Sequence, residues 1–132
     1  MIDHLSTYAT NFERTRDFYN AVFTPLGYGK LMEFSSSEDA DMPGRRICAF
    51  GPEDNPAFWV IEVSEAYTPR HTAFCAESRE AVEAFHRAGL DAGGSDHGGP
   101  GLRPEYHPHY YGAFLTDPDG NNVEAVYHRP LD

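Results

Sequence analysis

The sequence has little positive charge and few cysteines. Ten Lys and Arg residues stand against 21 Asp and Glu residues, which gives a formal net charge of −11. Nucleic acids and anionic membrane surfaces both need a basic partner, so we expect the chain to bind neither. The two cysteines, Cys48 and Cys75, lie far apart in separate apolar runs. They predict buried free thiols in a reducing compartment, and we expect a cytoplasmic protein.

Long apolar runs are also missing. No run approaches the roughly 18 residues that a membrane-spanning helix needs, and MIDH does not read as the start of a signal peptide. With 132 residues, the chain has the length of one domain that can bury a core of its own.

Hydrophobic periodicity and turn signals divide this single domain into two modules, about residues 1–66 and 67–132. The first module is predicted to contain a strand, a helix and three strands, at residues 2–9, 11–25, 28–34, 46–50 and 58–63. The second is predicted to repeat this order, at residues 71–76, 78–89, 90–101, 110–115 and 123–127. Within that order, residues 90–101 predict at most a short irregular strand. Residues 35–44 are acidic and turn-rich, which predicts a flexible loop.

The two modules repeat each other in sequence. Four pairs of residues with matching roles are separated by the same 67 positions: His4 and His71, Asn11 and Ser78, Phe18 and Phe85, and Gly27 and Gly94. Glu62 and Glu124 form a fifth pair, but they are only 62 positions apart. Loops of unequal length would explain the shorter separation. The repeat predicts an α+β fold made of two βαβββ modules.

The closing hairpin places an acid inside an apolar strand. Asp117-Pro118-Asp119-Gly120 has strong turn chemistry, because Pro fixes φ and Gly accepts a positive φ. Glu124 then lies in the middle of a strand rich in β-branched and aromatic residues. A carboxylate in that position needs a partner that compensates its charge.

Each module offers a histidine on its first strand and a glutamate on its last. If the modules are related by a two-fold axis, His4, Glu62, His71 and Glu124 would surround one point. Imidazoles and carboxylates in this number suit a divalent ion such as Zn, Ni, Mn or Fe(II). The alternative is that both histidines are hydrogen-bonded strand residues and both glutamates face solvent.

Tyrosines and histidines cluster just before the last hairpin, at residues 106–111, with Pro108 set among them and Pro104 just before them. His107 or Tyr110 could act there as an acid, a base or an orienting donor at the mouth of a pocket. Alternatively, the prolines only stiffen a loop, and the tyrosines are partly buried residues that pack against their neighbours without a catalytic role. Trp59 is interpreted as a core or dimer contact, and His128 as an outside candidate for the cavity.

Three segments resemble the vicinal oxygen chelate superfamily, which includes glyoxalase I, bleomycin-resistance proteins and extradiol dioxygenases. They are His4 with the helix FERTRDFY, His71 in HTAF, and Glu124 in DPDGNNVEAV. The resemblance implies paired βαβββ modules around a metal cavity, often completed across a homodimer. It also implies that His4, His71 and Glu124 are metal ligands. Glu62 falls where glyoxalase I has a fourth ligand that doubles as the proton-abstracting base.

The resemblance implies a small-molecule substrate or ligand and three alternative functions. The first is a metal-dependent lyase or isomerase of glyoxalase type, which abstracts a proton next to a carbonyl with Glu62 as base. The second is an Fe(II) extradiol-type dioxygenase, which uses three ligands without Glu62. The third is a metal-free protein that binds a flat ligand, as bleomycin-resistance proteins do. A clear basic cluster for glutathione is missing, with only five candidates in the sequence: Arg14, Arg16, Arg45, Arg46 and Arg103.

Overall fold

The computed structural model describes residues 1–130 and contains two four-stranded sheets, each covered by one α-helix. The elements are β1 (Leu5–Ala9), α1 (Phe12–Phe23), β2 (Gly29–Ser36), β3 (Arg45–Gly51), β4 (Phe58–Glu62), β5 (His71–Cys75), α2 (Arg79–Asp91), β6 (Ser95–Leu102), β7 (Tyr111–Thr116) and β8 (Asn122–Tyr127). The strand orders are β1-β4-β3-β2 and β5-β8-β7-β6. In each sheet the first strand runs parallel to the last one, and the other pairs are antiparallel. The predicted α+β fold of two βαβββ modules is confirmed.

The helix starts follow the repeat. The side chain of Asn11 accepts a hydrogen bond from the Arg14 amide at 3.2 Å, and Ser78 accepts one from the Ala81 amide at 3.0 Å. Each cap satisfies one of the free N–H groups at a helix N-terminus. Neither helix within residues 1–130 combines the length and apolar character needed to cross a bilayer.

Three sequence predictions differ from the structure in detail. Strand β6 has eight residues, Ser95–Leu102, where only a short irregular strand was expected. It contains two register shifts, and Gly98 has a φ of +142°, so its side chains do not alternate in the regular way that reveals a strand. Strand β2 extends to Ser36, into the predicted loop. The pairing of Gly94 with Gly27 also fails in detail, because the positive φ of Gly27 after α1 is matched after α2 by Gly93.

One core lies between the helices and the two sheets. On β4, Phe58 and Val60 point into this core, as do their β3 partners Phe50 and Cys48. Burial raises the pKa of the Cys48 thiol to about 12. Cys75 is exposed, unlike the buried thiol that was predicted.

The DPDG turn fastens the second module to the first. The carboxylate of Asp119 accepts hydrogen bonds from the Thr10 amide and hydroxyl, just before α1. Asp117 is buried and accepts a hydrogen bond from the Tyr19 hydroxyl at 2.6 Å. Both carboxylates therefore join the turn after β7 to the helix that belongs to the other module.

Candidate functional site

Glu124 lies in the centre of the second sheet, on the face turned away from the helices. Its β8 neighbours Val123 and Ala125 belong to the core, and successive side chains on a strand point to opposite faces. Glu124 is paired with Ala73 on β5 and with Phe114 on β7. We call this side of the sheet the open face of the second module.

Two side chains compensate the buried carboxylate of Glu124, which is only 1% exposed. The His71 Nε2 atom lies 2.9 Å from Oε1. The Tyr110 hydroxyl donates a hydrogen bond to Oε2. Because both carboxylate oxygens have partners, Glu124 can be buried at this position.

Tyr110 reaches Glu124 from the loop between β6 and β7. Burial, and then the hydrogen bond to Glu124, raise the pKa of Tyr110 above its ordinary value. The hydroxyl is therefore protonated at neutral pH and acts as the donor. A glycine at position 112 leaves room for this contact, because a Cβ there would lie 3.1 Å from Tyr110 Cε1 and 3.4 Å from Glu124 Oε2.

Asn122 adds a polar group beside His71. The two residues are paired across β5 and β8, so their side chains share the open face. The side-chain oxygen of Asn122 is buried and has no hydrogen-bond partner among residues 1–130. A hydroxyl or amide of a bound molecule could supply that missing donor.

Glu62 lies on the opposite side of its own sheet. It follows Phe58 and Val60 in the strand alternation, and those two side chains face α1. Both carboxylate oxygens are bound by Arg46, whose Nη2 lies 2.8 Å from Oε2. This hydrogen bond lowers the pKa of Glu62 and keeps the side chain ionised. Glu62 is thus not brought towards His71 or Glu124 within the chain.

The strand pairing shows why the repeat misassigned Glu62. Ser6 pairs with Trp59 in the first module, and Ala73 pairs with Glu124 in the second. Because Ser6 and Ala73 are themselves 67 residues apart, the structural equivalent of Glu124 is Trp59. Glu62 lies three residues further on, and an odd step reverses the face of a strand.

His4 lies just before β1 and does not meet His71. Its side chain is 57% exposed, and its Nδ1 atom lies 2.7 Å from Asp3 Oδ1. It lines a cavity of about 400 Å³ together with Phe74 and Cys75. His71 lines a different cavity, of about 480 Å³, with Tyr8 and Tyr67.

His107 and His128 form a separate pair beside Tyr110. His107 Nε2 lies 2.9 Å from His128 Nδ1, and the Tyr110 ring stands edge-on to both imidazoles. His107 Nδ1 accepts a hydrogen bond from the His109 amide. Its Nε2 then carries the proton in the neutral ring and donates it to His128 Nδ1, so both ring nitrogens of His107 are engaged beside Tyr110.

Within residues 1–130, no three His, Cys, Asp or Glu side chains are placed to hold a metal ion inside one chain. The structure brings together two of the four ligands expected from the sequence, His71 and Glu124. An imidazole and a carboxylate are donors of the kind that divalent metals take, so the pair fits half of a metal site.

Comparison with known proteins agrees with this fold. Residues 1–125 match the family model described as Glyoxalase/Bleomycin resistance protein/Dioxygenase superfamily. The chain belongs to this superfamily. No curated protein matches the chain closely enough to be significant.

Solved structures of the superfamily share the architecture. A glyoxalase/bleomycin resistance protein from Albidiferax ferrireducens T118 is 26% identical, with a TM-score of 0.76 over 98% of this chain and 99% of the other. A glyoxalase I mutant from Zea mays is 20% identical, with a TM-score of 0.70 over 95% of this chain and 46% of the maize chain. A superfamily domain from Frankia sp. EAN1pec is 14% identical, with a TM-score of 0.71 over 98% of each chain. At 20% and 14% identity, the maize and Frankia structures support the fold alone.

Proposed function

We propose that this superfamily member is a metal-dependent enzyme that binds two neighbouring oxygens of a small substrate. His71 and Glu124 would hold the metal from the second module, and His4 of a second copy would complete a two-histidine, one-carboxylate set. The observation that carries the proposal is the buried Glu124 carboxylate paired with His71 on an open sheet face. A buried charge arranged in this way is typical of functional sites.

The surface of the first module supports a homodimer. Strand pairing places eight uncharged side chains on the face of the first sheet opposite α1: Ser6, Tyr8, Met32, Phe34, Ile47, Ala49, Trp59 and Ile61. We call this the open face of the first module. Phe34 is 45% exposed and Met32 is 39% exposed. A second copy that sets its open second-module face against this one would cover apolar surface and enclose a cavity.

The position of Glu62 favours an oxygen-dependent reaction over glyoxalase-type isomerisation. The isomerisation needs a base at the substrate, and Glu62 is bound to Arg46 on the helix face. With three protein ligands, an Fe(II) ion leaves positions for dioxygen and for a bidentate substrate. Tyr110 would keep Glu124 oriented, and the free acceptor of Asn122 would receive a substrate hydroxyl.

Complementation between two variants that cannot bind metal tests whether the metal site is shared between two copies of the chain. We expect His4→Ala and His71→Ala each to abolish stoichiometric metal binding, measured by elemental analysis after dialysis. When the two variants are unfolded, mixed in equal amounts and refolded, about a quarter of wild-type metal content should return. This value arises because half of the dimers are mixed, and each mixed dimer has one intact site out of two.

Each other outcome of this experiment contradicts a named part of the proposal. Metal retained by His4→Ala alone would remove His4 from the ligand set. Failure of the mixture to recover metal, with mixed dimers demonstrated by differently tagged chains, would place all ligands within one chain. Each variant refolded alone serves as the control for recovery of the fold.

The Glu62→Gln variant separates the two reactions. We expect it to keep metal content and catechol-dependent oxygen uptake within about twofold of wild type, since it leaves Glu124 untouched. Its unfolding free energy should fall by at most about 1 kcal/mol, because the Arg46 side chain is 38% exposed and solvent screens the pair. Oxygen uptake is measured with an electrode under Fe(II) loading. Wild-type isomerisation of a hemithioacetal that is lost in Glu62→Gln without loss of metal would instead restore Glu62 as the base and support the isomerase.

A metal-free binding protein is the second candidate. It is favoured by the complete hydrogen bonding of Glu124, because His71 and Tyr110 compensate the charge without a metal. A wild-type protein that takes up no Zn²⁺, Mn²⁺ or Fe²⁺ on titration would support this function. We retain a cytoplasmic location as part of the proposal, because the two cysteines are unpaired.

A further inference from the structure

We propose that Trp59 is the specificity-determining residue of the site and selects a substrate with a flat, apolar ring next to its two oxygens. The inference rests on the proposed function, since it needs the two open faces to form one cavity. It goes beyond that function by assigning recognition of the ring to Trp59, a residue of the first module.

The first step is the structural equivalence of Trp59 and Glu124. Trp59 pairs with Ser6, which lies two positions after His4. Glu124 pairs with Ala73, which lies two positions after His71. In the proposed dimer, the cavity is built from the first module of one copy and the second module of the other. Because these modules repeat each other, a pseudo-two-fold axis would relate them, and equivalent positions would lie opposite each other across the cavity. Trp59 would then face the His71–Glu124 pair across the bound molecule.

The second step is the chemistry around Trp59. Its neighbours on the open face of the first module are apolar or uncharged, namely Ile61 on the same strand, Ala49 opposite, and Ser6 on β1. Trp59 is partly exposed, so its indole is available to a ligand. Large aromatic surfaces of this kind bind flat rings by stacking or edge contacts.

The third step concerns charge, which disfavours glutathione conjugates with their two carboxylates. Four of the five arginines proposed for such a ligand have partners within the chain: Arg16 with Asp17 and Glu33, Arg45 with Asp39, Arg46 with Glu13 and Glu62, and Arg103 with the carbonyls of Gly99 and Gly101. The net charge of −11 also repels an anionic molecule. A neutral ring is therefore the better match for this face.

Paired titrations with two ligands test this role of Trp59. Zn²⁺-loaded protein is titrated anaerobically with catechol, which has a ring, and with glycolate, which offers two oxygens without one. We expect Trp59→Ala to weaken catechol binding about tenfold and to change glycolate binding by less than about twofold. Trp59→Phe should keep most of the catechol affinity. Ile61→Ala is the matched control, because it removes apolar bulk from the same strand and the same face.

Several outcomes would overturn the inference. Equal losses for both ligands in Trp59→Ala would mean that Trp59 only supports the fold. Wild-type binding of S-hexylglutathione or glycolate as tight as that of catechol would reject the substrate class.

Two readouts separate failure of this inference from failure of the proposed function. Zn²⁺ stoichiometry reports on the metal site alone and should be unchanged in Trp59→Ala. Trp59 is the one tryptophan in the sequence, so quenching of its emission by catechol also reports ring binding in metal-free protein. No quenching with full Zn²⁺ binding would reject the role of Trp59, and quenching without Zn²⁺ binding would reject the metal enzyme.

Discussion

We expect Asp117→Ala to lower the free energy of unfolding by about 3 kcal/mol, one of the two largest effects predicted for this chain. Asp117 is 4% exposed and accepts hydrogen bonds from the Tyr19 hydroxyl, the Asp119 amide, and both the amide and side chain of Asn121. Alanine would leave the buried Tyr19 hydroxyl and the buried Asn121 amide without this acceptor. Urea denaturation at fixed protein concentration, followed by circular dichroism and tryptophan emission, measures the loss.

Tyr19→Phe is the matched control for Asp117→Ala. It removes one of the donors and leaves the carboxylate bonded to the turn, so we expect a loss of about 1 kcal/mol. Burial, and then the neighbouring Asp117, raise the pKa of Tyr19 well above its ordinary value, so its hydroxyl is a donor at neutral pH. If both variants lower the free energy of unfolding by the same small amount, the Asp117 carboxylate does not stabilise the contact between the two modules as proposed.

The second large effect is expected at the metal site. Glu124→Gln should weaken Zn²⁺ or Fe²⁺ binding by more than about 100-fold, because it removes the charged ligand and keeps the shape of the side chain. The amide can still bond to His71 and Tyr110, so the melting temperature should change little. Isothermal titration calorimetry and thermal unfolding of the same preparation measure both quantities.

His109→Ala is the control for Glu124→Gln. His109 is exposed and lies in the loop that carries Tyr110, so the substitution tests whether any change near the site reduces metal affinity. We expect wild-type binding from this variant. Unchanged affinity in Glu124→Gln would reject Glu124 as a ligand and favour the metal-free binding protein.

Local patterns predicted most of the fold. The caps at Asn11 and Ser78 and the apolar spacing of the helices depend on neighbours a few residues away, so a single sequence reveals them. The DPDG turn likewise follows from the φ preferences of Pro and Gly. The full length of strand β6 was not predicted, because its glycines and bulges do not produce the alternation of apolar and polar residues by which strands are detected.

The role of Glu62 could not be obtained from the sequence, because a face assignment depends on register. An error of three positions in aligning β4 with β8 moves a side chain from one face of the sheet to the other. The repeat offered two plausible glutamates, and only the pairing of Ser6 with Trp59 showed which residue is equivalent to Glu124. The contact between Glu62 and Arg46 follows from that register.

The sequence by itself determined the two βαβββ modules, their caps and turns, and the presence of an acid in the last strand that needs compensation. The tertiary structure decided what compensates that acid: His71 from β5 and Tyr110 from the β6–β7 loop. It also decided that Trp59, and not Glu62, lies on the open face of its sheet. The physical reason is that caps and turns are short-range, whereas the partners of a buried charge come from strands and loops that meet only after the sheet has formed.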